Sequence, residues 1–265
     1  MGVAITVASQ KGGVGKTTTV VNLAGSLCLA GRKVLLMDLD PQGNASSGVG
    51  FHRSPAQTPP GKGNSARHAF LTRVVTGKGI EPVIQPTSIE NLSLIPSSSE
   101  LSELELIKRI QDSAVQKFRK QIRALSSEYD YILIDCPPSL GGLPTIALSM
   151  SDAVLVPVQC EYYAMEGLSQ ILPVIRELQR TTNTGLKILG FLLTMYSGEL
   201  QLSNDVVEEV TGYFKELVFH TIIPRDVVLA EAASHGVPAF HYEGTSRGAW
   251  GYIELAKEIL NHDKS

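Results

Sequence analysis

Short, nearly continuous apolar runs alternate along the chain with longer stretches whose apolar positions recur every three or four residues. The short runs are Val3–Ala8, Lys33–Asp38, Asn91–Pro96, Tyr131–Asp135, Ala153–Val158 and Leu186–Met195, with a shorter one at Val218–Pro224. Runs that are apolar on consecutive positions predict strands covered on both faces, as in a parallel sheet. The longer stretches predict helices at Thr18–Leu29, about Ala66–Val75, Leu101–Leu125, a segment ending near Arg180, Ser203–Glu216 and Ser246–Leu260. Strand and helix in alternation predict an α/β fold, with a doubly wound, mostly parallel sheet flanked by helices. No internal repeat divides residues 1–265, so one domain is expected, with an exposed Pro-, Gly- and Ser-rich loop around 53–65.

Composition changes this picture little. At 265 residues the chain is long enough for a substantial core, and 43% hydrophobic with 18% charged residues is ordinary for a globular protein. The net charge of −3 means that any nucleic-acid contact must come from a local patch. Cys28, Cys136 and Cys160 are widely spaced, with no metal or disulfide pattern, and suit a reducing cytoplasm. No stretch approaches the length of a membrane span, so a cytoplasmic location is expected.

The chemistry lies where strands end. Between the first strand and the first helix stands Ser9-Gln10-Lys11-Gly12-Gly13-Val14-Gly15-Lys16-Thr17-Thr18. Strand, Gly-rich loop, Lys-Thr and helix together describe a phosphate-binding loop, and hence a sheet of the P-loop NTPase type. Glycine lets successive backbone N–H groups from Gly12 through Gly13, Val14, Gly15, Lys16 and Thr17 to Thr18 turn toward one anion, and the helix dipole adds to the attraction. Lys16 would reach the β- and γ-phosphates of a nucleotide, and the Thr17 hydroxyl would ligate Mg²⁺. Tyr131–Asp135 is an apolar strand ending in a carboxylate, which beside such a loop places Asp135 in the Mg²⁺ shell. Asp38, which ends the second strand, and Asp40, just past it, lie on the ligand-binding rim of an open sheet.

The loop departs from G-x-x-x-x-G-K-[ST]: Gln10 replaces its first glycine, and Lys11 adds a second lysine. Gln-Lys-Gly-Gly-Val-Gly-Lys-Thr-Thr resembles the deviant Walker A motif of the ParA/MinD superfamily. Asp38-Leu39-Asp40-Pro41-Gln42-Gly43-Asn44, the run Ile132–Gly141 and the run Val156–Gly167 resemble its ParA/Soj-type partition ATPases in particular, over about Val3 to Leu260. The resemblance implies a slow, Mg²⁺-dependent ATP hydrolase in which Lys11 crosses to the phosphates of the partner in an ATP-dependent homodimer. It implies that Asp38 belongs to the Mg²⁺ and phosphate environment and that Asp40 positions the attacking water, as base or as orienter. It puts Met195, Pro224 and Arg225 near the adenine. It further implies chromosome or plasmid partitioning, non-specific DNA binding by the ATP dimer and stimulation by a ParB-like centromere-binding protein.

DNA binding is where residues and resemblance diverge. Glu199 and Val228 stand where Soj-like members carry DNA-binding arginines, and Tyr196–Ser265 holds five Lys/Arg against eleven Asp/Glu. Lys108, Arg109, Lys117, Arg119, Lys120 and Arg123 form a basic run that is ordinarily a solvated helix face, with a DNA-facing patch as the alternative. The rival reading is a ParA-like ATPase that positions a protein cargo through an adaptor. A membrane-cycling ATPase like MinD is disfavoured by the tail Ala249–Ser265, which carries Lys257 and Lys264 against Glu254, Glu258 and Asp263. A cluster-bearing reductase is disfavoured by the placement of the cysteines.

Overall fold

The computed structural model describes residues 2–51, 83–98, 101, 112–139 and 141–262. The loop around 53–65, the helix expected at 66–75, and Lys108 and Arg109 lie outside them.

Strands β1 (Val3–Val7), β2 (Val34–Asp38), β3 (Gln85–Pro86), β4 (Leu92–Ile95), β5 (Tyr131–Asp135), β6 (Ala153–Gln159) and β7 (Lys187–Thr194) form one sheet in the order β3-β4-β2-β5-β1-β6-β7. Every pairing is parallel except that of β3 with β4 at one edge. Successive side chains of a strand enter opposite layers. Val34 and Leu36 pack with helix α1 (Lys16–Leu29), whereas Leu35 and Met37 pack with α3 (Asp112–Leu125) and α4 (Gly142–Met150). The first layer also holds α2 (Asn44–Gly48) and α9 (Arg247–His262), and the second holds α5 (Ala164–Arg180) and α6 (Gln201–Phe214). Two short helices, α7 (Val228–Ser234) and α8 (Ala239–Tyr242), meet α9 in a small alanine cluster. Each fully buried aliphatic side chain contributes about 1.5–3 kcal/mol, set against the entropy of ordering the chain.

The strand register positions the site. Val7 and Asp38 both lie opposite Asp135, so the carboxyl ends of β1, β2 and β5 form one rim. The chain leaves β1 toward β2 on one side and returns to β6 on the other, and ligands of open α/β sheets bind at such a reversal.

The structure corrects the strand expected at Val218–Pro224. Only isolated bridges form there, Phe191 with Val218 and Tyr196 with Pro224. The N–H groups of His220 and Thr221 are drawn instead to the Glu258 carboxylate on α9, at 2.7 and 3.0 Å, which breaks the ladder. Helix α4, whose sequence is apolar on nearly every side, shows no amphipathic period and escapes a search for one. Among the described residues no helix is long and apolar enough to cross a membrane.

Candidate nucleotide-binding site

The loop from Ser9 to Gly15 curls above the end of β1. Gly13 and Gly15 hold φ at 74° and 88°, the left-handed region that a Cβ makes costly, and Gly15 accepts the first hydrogen bond of α1 from Thr19 N–H at 2.8 Å. The side chain of Thr194, at the end of β7, ties this loop to the sheet by donating to the Val14 carbonyl at 2.9 Å. Lys16 is buried, and its ammonium donates to the Lys11 carbonyl at 3.0 Å. Burial pulls the Lys16 pKa down, while Cys136, Asp135 and Asp40 oppose the shift. Lys11 itself is half-buried, with its Cβ lying over Gly167 of α5. Gly12 and Gly13 are exposed, and Thr17 and Thr18 are half-buried.

Three carboxylates gather beside Lys16. Asp38, Asp40 and Asp135 are buried, and Asp135 has no exposure at all. Thr17 donates its hydroxyl to Asp135 Oδ2 at 2.7 Å, while the buried Asp135 Oδ1 has no hydrogen-bond partner. Burial pushes the Asp135 carboxyl well above its usual range; the charge of Asp38 adds to this and the Thr17 bond opposes it. Asp38 is raised to about 6, again chiefly by burial, against the Ser46 hydroxyl and N–H groups at 2.6 and 2.7 Å and the Asp40 N–H at 3.1 Å.

This donor set suits a hard divalent cation. A buried carboxylate oxygen without a partner is costly, and one ammonium does not balance three carboxylates. All the candidate ligands are oxygens, as Mg²⁺ requires. Among the described residues no three His, Cys, Asp or Glu side chains converge closely enough to hold a metal alone. That is expected of Mg²⁺, which keeps water and substrate phosphates as most of its ligands.

The raised pKa of Asp38 has a measurable consequence. Its unfolded form ionises near 3.8 and its folded form near 6. Below the first value the group is neutral in both states and costs nothing. Above the second it is ionised in both, and folding bears the full penalty of the buried charge. The nucleotide-free protein should therefore lose stability to urea as pH rises from about 4 to about 6. Asp38→Asn should flatten that part of the profile, and an unchanged slope would remove Asp38 as its source.

A cavity of about 180 Å³ lies beyond the phosphate loop and is lined by Gly15, Thr18, Met195, Pro224, Arg225 and Leu229 among others. Its walls are mostly apolar, as a purine ring requires, and the peptide of Tyr196 pairs with Ile223 and Arg225 to hold its rim at 3.1 and 2.8 Å. Arg225 is exposed and bridges to Glu161 at 2.8 Å. Met195, Pro224 and Arg225 thus converge with the start of α1.

The basic run is only partly a surface. Lys117, Lys120 and Arg123 are exposed on α3, whereas Arg119 turns inward. The Arg119 Nε is buried without a partner, its guanidinium lies near Gly185, and burial, with Arg123 nearby, lowers its pKa. The sequence carries no signal for Ser46, Ser97 or Thr194, which hold Asp38, Asp40 and the phosphate loop through contacts distant along the chain.

A family model described as an AAA domain matches residues 2–188. Over 261 residues the chain is 46% identical to the sporulation initiation inhibitor protein Soj of Bacillus subtilis (strain 168), covering 98% of each. It is 43% identical to the chromosome partitioning protein ParA of Myxococcus xanthus (strain DK1622), covering 98% of this chain and 88% of that one. The solved structure of cobyrinic acid a,c-diamide synthase from Mycobacterium smegmatis with bound ADP and magnesium matches with a TM-score of 0.80 at 33% identity, covering 100% of this chain and 96% of that one.

Proposed function

The chain belongs to the ParA/Soj family of partition ATPases, and from that premise we propose that it is a nucleotide-switched dimer that carries DNA and is released from it by a ParB-like partner. It is an ATP hydrolase that uses Mg²⁺, as its membership of this ATPase family and the ADP- and magnesium-bound neighbour support. Bound Mg²⁺ would neutralise phosphate charge, held by Thr17 and, through water, by Asp38 and Asp135. Lys16 and the loop amides bind the phosphates of their own subunit. The cavity beside Met195 and Pro224 takes the base. Asp40 orients water for attack on the γ-phosphate, a step that depends on positioning more than on proton abstraction.

The single observation that carries the dimer is Lys11. Its backbone carbonyl accepts the Lys16 ammonium, so one lysine already serves the phosphates of its own chain, while the other lies against Gly167 and lines a pocket with Tyr163, Glu166 and Gln170. A second cation supplied across a subunit boundary acts as an arginine finger does.

A second reading draws on two residues. Glu199 is exposed before α6, and Val228 opens α7 with its N–H on Asp226 Oδ1 at 3.0 Å, so neither can neutralise a phosphate. Positioning of a protein cargo through an adaptor would need no DNA contact. Retention on duplex DNA separates the two readings. The Asp40→Ala protein with ATP and Mg²⁺ should be retained at low salt and released as salt rises. Charge reversal at Lys117, Lys120 and Arg123 should flatten the salt slope by about 0.9 for each phosphate that is no longer neutralised. Absence of retention even at low salt would leave the adaptor reading standing.

A further inference from the structure

Asp40 is held at both ends of its own residue by a closed ring of hydrogen bonds that joins three separate chain segments. Its N–H donates to Asp38 Oδ1 at 3.1 Å, and its carbonyl accepts the Ser97 hydroxyl. The Ser97 N–H donates to Ser46 Oγ at 3.0 Å, and the Ser46 hydroxyl donates to Asp38 Oδ2 at 2.6 Å, which closes the ring. Ser46, Ser97 and Asp38 are all buried, so little water is available to replace a missing bond. The Asp40 carbonyl also accepts Gly43 N–H at 2.9 Å, and its side-chain Oδ1 accepts Gln42 N–H at 2.9 Å, so a tight turn fixes the carboxylate relative to the peptide that the ring holds.

The origin of the ring is topological. Ser97 stands just past β4, and β4 lies beside β2 with Ile95 opposite Met37. The chain therefore leaves β4 where Asp38 and Asp40 leave β2. Helix α2 supplies Ser46 from the other direction.

We propose that Ser97 and Ser46 are positioning residues for ATP hydrolysis: the hydrogen-bonded ring Asp38–Asp40–Ser97–Ser46 sets the Asp40 carboxylate for the attacking water. Neither serine touches nucleotide; each acts through Asp40. Misplacement of a catalytic group by about 1 Å can slow a reaction by ~10²-fold, so partial loosening here should cost about tenfold in kcat. The inference rests on the reading of Asp40 as the water-positioning group.

Steady-state hydrolysis, ATP binding by calorimetry and amide exchange over residues 40–43 test it together. Ser97→Ala should lower kcat about tenfold, leave the Kd for ATP within about twofold, and speed exchange at Gln42 and Gly43 about tenfold. Ser97→Thr, which keeps the hydroxyl, should restore most of the rate, whereas Ser97→Cys should not. Combined with Asp40→Ala, Ser97→Ala should cause no further loss, as expected of residues that act as one unit. A native kcat in Ser97→Ala, an equal fall in kcat and affinity, or full additivity with Asp40→Ala would overturn the proposal. Should Ser97→Ala fail to fold, the Cys and Thr variants decide: equal rates in both overturn it. Native turnover in Asp40→Ala would remove the underlying reading, whereas a slow Asp40→Ala beside a native Ser97→Ala would remove only the ring.

Discussion

Lys16→Ala should weaken ATP binding by ~10²-fold or more, the cost of deleting one partner of a buried, hydrogen-bonded charge pair. Lys16 is buried in the phosphate loop at the start of α1, with Asp40 and Asp135 close enough to act on its charge. Removing it leaves those carboxylates without their nearest cation, beside a nucleotide that is itself strongly anionic. Lys11→Ala should behave differently. That side chain is half-buried against Gly167, and the residue's structural contribution, the carbonyl that accepts the Lys16 ammonium at 3.0 Å, survives the substitution. Its affinity for ATP should stay within about threefold of native, while the ATP-bound dimer is lost. Equilibrium titration with a fluorescent ATP analogue checks both variants. Equal loss of affinity in the two would mean that the lysines share one task.

Asp40→Ala should lower turnover by ~10²-fold and trap the ATP-bound dimer. The substitution removes the carboxylate, while the main-chain bonds of residue 40 to Asp38 and Ser97 can persist. It removes no residue assigned to the phosphates, so binding should remain. Native turnover should already be slow, below the roughly 1–100 s⁻¹ of kinases, which leaves room for a partner to accelerate it. Single-turnover hydrolysis of bound ATP is the check, and undiminished hydrolysis in Asp40→Ala would take Asp40 out of the mechanism.

Much of the site is legible in the amino-acid sequence, because its central parts are local along the chain. Lys11, Gly13, Gly15, Lys16 and Thr17 lie within one turn and the helix start that follows. Asp38 and Asp135 each end an apolar run, so a strand assignment alone puts them on the rim, and the parallel register then brings them opposite one another. The parts that are not legible are built from long-range contacts or from patterns without a period. Ser46 and Ser97 are ordinary serines until β4 is laid beside β2, and Thr194 reaches Val14 across 180 positions. The run Val218–Pro224 reads as a strand because it is apolar, yet the Glu258 carboxylate takes two of its N–H groups. Arg119 sits in a basic run that looks uniformly solvated, and only packing near Gly185 shows that it turns inward.

The central claim is a dimer switched by the γ-phosphate through Lys11. Sedimentation velocity of the native chain with Mg²⁺ and ATP, with Mg²⁺ and ADP, and without nucleotide tests it most directly, with Lys11→Ala and Asp40→Ala run in parallel. The native protein should sediment as a dimer with ATP alone, Asp40→Ala should hold that dimer longer, and Lys11→Ala should remain a monomer throughout. One oligomeric state for the native chain under all three conditions would contradict the claim.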